Sequence, residues 1–311
     1  MFNKKNVLLA CFLMSIMSFT ISCDKDNSTS TGSAQVEITD GPIDDAEVKS
    51  VFVTVAEVKI DGKTFSGFSG KKTIDVKVLN QGNTQVLGIG SLDAGSYQNL
   101  SIVLDYSKDA SGNTPGCYVE TVNGTKHALS TQASQEITLA KNFVIESGKT
   151  TNLVLDFDLR KAVAYQSGSA TDKYDFVSAA DLNSAVRLVV KSQTGTIKGT
   201  CNNSTVASDK IVVFAYKKGS FSKSTETQSS NGVSFKNAVT STVVDNSGNF
   251  KLSFVESGDY ELHFASYKDT NSDGKLDLRG MLNLTTVINL LGINVAANAE
   301  VSLVATVSGL Q

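Results

Sequence analysis

Leu153, Leu155, Phe157 and Leu159 stand at every second position of one short run, with polar residues between most of them. A side-chain period of two belongs to an extended strand with one face buried. The same alternation returns along most of the chain, in Val36 and Ile38, in Val51, Val53 and Val55, in Ile74, Val76 and Val78, and in Leu100, Ile102 and Leu104. Shorter candidates lie at 118–122, 137–139, 143–145 and 186–190. Clusters of Asp, Asn, Gly and Ser separate the runs, as at Asp40-Gly41-Pro42 and Asp61-Gly62, and these residues close tight turns. No long apolar stretch of helical period intervenes; only 178–184, with Ser178 as N-cap, reads as a helical turn. The pattern predicts an all-β chain of two antiparallel β-sandwich domains in tandem.

Ser192-Gln193-Thr194-Gly195 reads as a joint, so residues 34–191 and 192–311 are predicted as separate sandwiches. Strands of the second are expected around 196–200, 211–216, 239–244, 250–254, 260–267, 286–291 and 301–307. The polar stretch 217–231 is expected to be a mobile loop.

Ahead of both domains, Lys4 and Lys5 precede a mostly apolar segment, 7–21, that is shorter than the roughly 20 residues a membrane-spanning helix needs. Ile21-Ser22-Cys23 then places an aliphatic residue, a small one and a cysteine in order. This resembles the lipobox of bacterial lipoproteins, which implies loss of residues 1–22, a lipid on Cys23 and attachment to a membrane of the cell envelope. The other reading is a plain cleaved signal with an incidental cysteine. Residues 23–33 are polar and small, a leash without apolar periodicity. Its acidic start is similar to the surface-export signal of some Gram-negative lipoproteins, which implies an outer-membrane protein exposed at the surface, whereas in other groups an Asp after the cysteine marks retention in the inner membrane.

The chain has a net charge of −3, and the leader takes two lysines with it, so nothing in the balance favours a nucleic-acid partner or an anionic membrane face. Of four cysteines, Cys11 leaves with the leader and Cys23 is acylated. Cys117 and Cys201 either pair in an oxidising envelope, a bridge worth about 4–5 kcal/mol by loop closure, or remain as two separate, partly buried thiols.

Four segments together carry a family resemblance: Val36-Glu37-Ile38-Thr39-Asp40-Gly41-Pro42, Val51-Phe52-Val53-Thr54-Val55, Leu155-Asp156-Phe157-Asp158 and Val186-Arg187-Leu188. They resemble the envelope lipoproteins grouped as domain of unknown function 4382, which implies a β-sandwich and brings no activity with it. In the second half, Gly195 to Gly199, Gly248-Asn249-Phe250 and Gly258-Asp259-Tyr260 resemble the transthyretin-like or carboxypeptidase-regulatory-like sandwich, which implies an accessory module for binding or spacing.

One loop carries metal chemistry. Asp269, Asn271, Asp273 and Asp277 occupy positions 1, 3, 5 and 9 of a segment with Gly274 at position 6, and the Lys275 carbonyl supplies a backbone oxygen. Alternate oxygens converging on a tight bend suit Ca²⁺, which takes six to eight of them. Position 12 is Gly280, so the bidentate Glu of an EF-hand is missing. Turn chemistry alone also favours this composition, and a solvated loop is the other reading. Asp40, Asp44 and Asp45 fit no metal template and read as a solvated turn.

Catalytic residues are not expected. His127 and His263 read as surface or sheet residues, no zinc, serine-elbow or phosphate-loop motif occurs, and Gly88-Ile89-Gly90 is a chance fragment between turns. Asp156 and Asp158 share a strand face that is predicted to be solvated. The expectation is a non-enzymatic, lipid-anchored module that presents loops to a glycan or protein. The alternative is a fimbrial-like assembly subunit acting through edge strands, ahead of a carboxylate-pair hydrolase.

Overall fold

The structure, a computed structural model, describes residues 30–41, 43, 45–131, 136–165, 174–229, 233–271 and 275–311. Alternation puts strands β1 (Thr31–Gly41), β2 (Val48–Ile60), β3 (Lys63–Thr64), β4 (Lys72–Asp75), β5 (Gln85–Asp93) and β6 (Gly95–Leu104) first. Next come β7 (Tyr118–Thr121), β8 (Lys126–Ala128), β9 (Glu136–Ile145) and β10 (Thr150–Asp158). Helix α1 (Leu159–Ala162), the ribbon β11 (Val163–Tyr165) and β12 (Tyr174–Phe176), helix α2 (Ala179–Ala185) and β13 (Val186–Val190) follow. The second half holds β14 (Thr194–Asn202), β15 (Lys210–Lys217), α3 (Lys223–Glu226), β16 (Thr240–Val243) and β17 (Asn249–Glu256). It closes with β18 (Gly258–Lys268), β19 (Asp277–Thr286), β20 (Ile293–Val295) and β21 (Glu300–Leu310).

The fold is all-β. A four-stranded sheet in the order β13-β10-β1-β5 faces a second sheet, β8-β7-β2-β6-β9, with β3 and β4 also paired to β2. Val36, Ile38, Leu153, Leu155 and Phe157 from the first meet Val51, Val53, Val55, Leu100 and Ile102 from the other in one core. These are the alternating residues of the sequence, and their burial drives the two sheets together at about 25 cal/mol per Å² of apolar surface. In the second half the order is β16-β15-β18-β19-β21-β14-β17, with β20 beside β18. β19 serves two layers: Asp277 to Met281 pair with β18, and Leu282 to Thr286 pair with β21. Met281 accordingly packs beside Phe214, Tyr216 and Phe235, while its neighbour Leu282 enters the core of Ile197, Leu252 and Phe264.

The pairing is not antiparallel throughout. β1 runs parallel to β10, with Val36 opposite Leu153, and β14 runs parallel to β21, with Ile197 opposite Val301. In both halves the first strand lies between an antiparallel neighbour and a late parallel one. Side-chain alternation is the same for either direction, so the sequence pattern carried no sign of this.

Several local expectations change. Thr31 to Ser33, placed in the polar leash, already pair in β1 with Asp93, Leu92 and Ser91 of β5. The run Ile74, Val76, Val78 does not stay extended: β4 ends at Asp75, Val76–Leu79 form a 3₁₀ turn, and Val78 faces solvent. β19 stops at Thr286, so the strand expected at 286–291 is largely a loop. The polar excursion after β15 includes α3, whose Glu226 is buried and accepts from the Tyr216 hydroxyl at 2.7 Å and the Asn237 backbone N–H at 3.1 Å. Ser178 caps α2 as expected, accepting from Asp181 N–H at 3.2 Å.

Cys117 and Cys201 do not pair. They are free thiols buried in the cores of different halves, Cys117 beside the first set of strands and Cys201 beside the second. Burial pushes the Cys117 thiol up to about 12 and the Cys201 thiol up to about 11, so neither forms a reactive thiolate near neutral pH.

Gly88 and Gly90, read as an accidental fragment between turns, are part of β5. A Cβ on Gly90 would fall 2.6 Å from Gly67 N, and one on Gly88 would overlap Gly67 O. The missing side chains let the segment around Gly67 lie directly on the strand.

Candidate functional site

Polar side chains on the outer face of β1 and β10 are covered rather than left in water, and the cations that pair with Asp156 and Asp158 also reach the second half of the chain. Glu37, Thr39, Asp156 and Asp158 are all buried, which overturns the solvated face expected for Asp156 and Asp158. Arg187 of β13 donates to Asp156 from Nε at 2.7 Å and from Nη1 to the Phe254 carbonyl at 2.8 Å. Lys191 donates to Glu37 at 2.9 Å. From α1, Arg160 donates to the Ser234 and Phe235 carbonyls and Lys161 to the Ala238 carbonyl. Asp158 lies 3.5 Å from Arg160 and 3.4 Å from Lys161. Both strand carboxylates are therefore matched to cations, and neither is presented to a substrate.

Burial would raise the Glu37 carboxyl, but bonds from Thr84, Lys191 and Gln35 outweigh it and hold the group below its usual range. Asp40 goes the other way. Burial first, then the nearby Asp156 and Asp158, push its carboxyl well up, and the bond it accepts from Leu159 N–H is 3.4 Å long. The solvated turn expected for Asp40, Asp44 and Asp45 is thus not solvated at Asp40, while Asp45 is half-buried and paired with Lys275; Asp44 lies outside the described residues.

Where the two halves part, a cleft of about 400 Å³ opens. The first half lines it with Asp45, Arg160, Tyr165 and Tyr174, and the second half with Ser234 and Lys275. Lys275 crosses from the second half to Asp45 at 2.5 Å, and its ammonium sits 3.3 Å from the centre of the Tyr165 ring. The Tyr174 hydroxyl donates to Asp45 at 2.9 Å, and its phenol is pushed up by burial and by that carboxylate. Tyr165 and Tyr174 meet edge to face at 5.5 Å. A carboxylate, an ammonium, hydroxyls and aromatic rings thus line one small volume of the size that holds a small ligand, with Asp45, Lys275 and the Tyr174 hydroxyl already bonded to one another.

Of the expected metal-loop residues, Asp273 lies outside the described residues. Asp277 accepts from the Thr270 hydroxyl, Asp269 N–H donates to Asp209, and the side chain of Lys275 is the cation that reaches Asp45 in the first half. Among the described residues no three His, Cys, Asp or Glu side chains are grouped to hold a metal. Cys23 also lies outside the described residues, as do the leader and most of the leash. His127 stands on β8 edge-on to Tyr174, and His263 on β18 stacks against Phe221 at 3.7 Å; burial lowers the His263 pKa despite the nearby Glu261. Both are sheet residues.

The sequence reading missed Arg160, Tyr165 and Tyr174. The available signal was two tyrosines bracketing the polar stretch 166–173, as at the two strands of a ribbon.

Comparison with known proteins bears on the first half. Residues 31–178 match the family model described as Domain of unknown function (DUF4382). The matched segment takes in the motifs around Val36, Val51 and Leu155 and ends before Val186. No curated protein matches the chain. Among solved structures, the Bacillus anthracis TIE protein is 13% identical over 89% of this chain and 34% of its own, with a TM-score of 0.20. The chain thus spans about a third of that protein. BcpA, the major pilin subunit of Bacillus cereus, is 14% identical over 89% of this chain and 70% of its own, with a TM-score of 0.21. GBS52, the minor pilin of Streptococcus agalactiae, is 10% identical over 88% of this chain and 95% of its own, also at 0.21. Among the described residues no helix is long and apolar enough to cross a membrane.

Proposed function

We propose that this is a non-enzymatic protein of the cell envelope, tethered by a lipid on Cys23, whose interdomain cleft binds a short saccharide. The supporting observation is the convergence of Asp45, Tyr165, Tyr174, Arg160 and Lys275 on one cleft of about 400 Å³. A sugar presents hydroxyls that both donate and accept and a ring face that packs on aromatics, and these groups answer each requirement. Rigid joining of the halves by Arg187, Arg160 and Lys161 would keep the cleft pre-formed, which limits the ordering lost on binding. A glycan array with the full chain is expected to give saccharide hits that Tyr165→Ala weakens by about tenfold or more, the loss of roughly 1.4 kcal/mol of contact. No hits, or hits indifferent to Tyr165→Ala, would rule the cleft out.

The second half is proposed to be a transthyretin-like module. Its quoted glycines support this at turns and close approaches: Gly248 at φ 83 precedes Phe250, Gly258 at φ 149 opens β18, and a Cβ on Gly199 would overlap Leu303 O. The Asp269 to Asp277 loop is proposed to take Ca²⁺ with Asp273 as a ligand. The expected outcome is a rise in melting temperature on adding millimolar calcium, absent in Asp273→Ala, followed by calorimetry. A parent that ignores calcium would exclude it.

A second reading is an assembly subunit joined by strand addition. β9 favours it, a ten-residue strand that, among the described residues, is hydrogen-bonded to a neighbouring strand, β6, on one side only. Asn183 accepts from Thr138 N–H and donates to Thr138 O, both at 3.2 Å, and Thr151 donates to Val144 O at 2.9 Å. A partner strand would have to displace both side chains, so this edge is guarded.

A further inference from the structure

Between β19 and β20 the chain puts apolar side chains into water. Val287 is 98% exposed, Leu291 53% and Ile288 36%, within six residues, 287–292. The loop is nonetheless built. Leu290 packs against the core of the second half and its carbonyl accepts from Leu262 N–H at 2.8 Å. Asn289 accepts from Leu291 N–H at 2.9 Å, and the Asn289 carbonyl accepts from Gly292 N–H at 3.2 Å. Hydrogen bonds and a half-buried foot at Leu290 thus hold the three aliphatic side chains outward.

The charge beside this tip is positive. Lys218 brings its ammonium to within 3.8 Å of where a Cβ on Gly292 would stand, and Lys217 is exposed next to it, resting 4.3 Å above the Tyr260 ring. The nearby Asp259 carboxylate accepts from Asn294 at 2.9 Å. Although the chain as a whole is acidic, charges more than about 8 Å away are screened at physiological salt, so two lysines against the single Asp259 carboxylate leave the surroundings of the tip net positive.

We infer that the loop 287–292 is a membrane-docking finger that inserts Val287, Ile288 and Leu291 among the acyl chains of a bilayer while Lys217 and Lys218 meet anionic headgroups. Three aliphatic side chains on a narrow projection cover far less than the roughly 800 Å² per partner of a stable protein interface, and the tip lacks the Trp, Tyr or Arg anchors such interfaces centre on. A projecting apolar tip with a basic rim fits a soft, anionic surface instead. The inference does not depend on saccharide binding in the cleft.

The chain has no tryptophan, so Val287→Trp creates a single fluorescent reporter in the full-length protein. On adding vesicles of phosphatidylglycerol and phosphatidylcholine, its emission is expected to shift to the blue and to be quenched by lipids brominated on the acyl chain. Adding Lys218→Glu is expected to raise the lipid concentration at half-shift about threefold or more. A separate Val144→Trp variant, with its reporter exposed on β9 away from the loop, is expected to stay unshifted. Emission from the Val287→Trp variant that remains that of water in bound protein, or a shift that occurs without vesicles and grows with protein concentration, would overturn the proposal, the latter by assigning the loop to a second copy. An equal shift in the Val144→Trp variant would overturn it as well.

Discussion

Arg187→Ala is expected to lower the unfolding free energy by about 3–5 kcal/mol in urea titration of the whole chain, the cost typical of stripping one partner from a buried ion pair. Arg187 holds Asp156 through Nε at 2.7 Å and Nη2 at 2.6 Å, and Asp156 is almost wholly enclosed between the halves. Without the guanidinium the carboxylate must stay charged without its cation or take up a proton, and either costs free energy. The same change removes the donor to the Phe254 carbonyl, which pins β17 across the outer face of the first sandwich. Arg187→Met combined with Asp156→Leu is expected to recover most of the loss, because two apolar groups of similar volume need neither charge desolvated. A single variant within about 1 kcal/mol of the parent would show that solvent reaches Asp156 and that the interface is looser than its geometry.

The second large effect is expected at Gly90. Gly90→Val should cost about 3 kcal/mol or more, at the upper end of overpacking changes, because its Cβ would sit 2.6 Å from Gly67 N and Cα. Backbone, not a flexible side-chain tip, stands in the way, so relief requires lifting the segment around Gly67 off β5. Gly95→Ala supplies the comparison. It opens β6 with no atom within 4 Å of the added carbon, and its loss should stay within about 0.5 kcal/mol. Denaturation midpoints of the two variants side by side would decide the matter; equal midpoints would mean the contact at Gly67 is not held in solution.

These two sites also show where reading the sequence stopped. Val36, Leu153 and their alternating partners announced both faces of the core because apolar burial is a property of each strand by itself. Asp156 and Asp158 announced a polar face and nothing more. A carboxylate in a strand looks the same whether it will meet water or an arginine of the neighbouring strand, and Arg187 lies 31 residues from Asp156. The cleft was hidden for the same reason: Lys275 read as a backbone ligand in a loop, and only the placement of Asp45, 230 residues away, turns its side chain into a bridge. Gly88 and Gly90 misled in a different way, since glycine marks both a turn and a place where another backbone lies close. Val76 and Val78 continued an alternation that the backbone abandons at Asp75, so periodicity over so few residues did not fix the end of the strand.

β21 fills the space between β14 and β19, and its partner β14 is the first strand of its half to leave the ribosome. Loop closure over that separation is entropically slow, and no succession of local hairpins substitutes for it. Until residues 300–310 emerge, the growing chain holds an open seam along β14 whose unpaired amides and carbonyls attract any passing strand. The maturation of this half therefore waits on residues 300–310, and any holding factor that shields nascent chains has most to protect along β14.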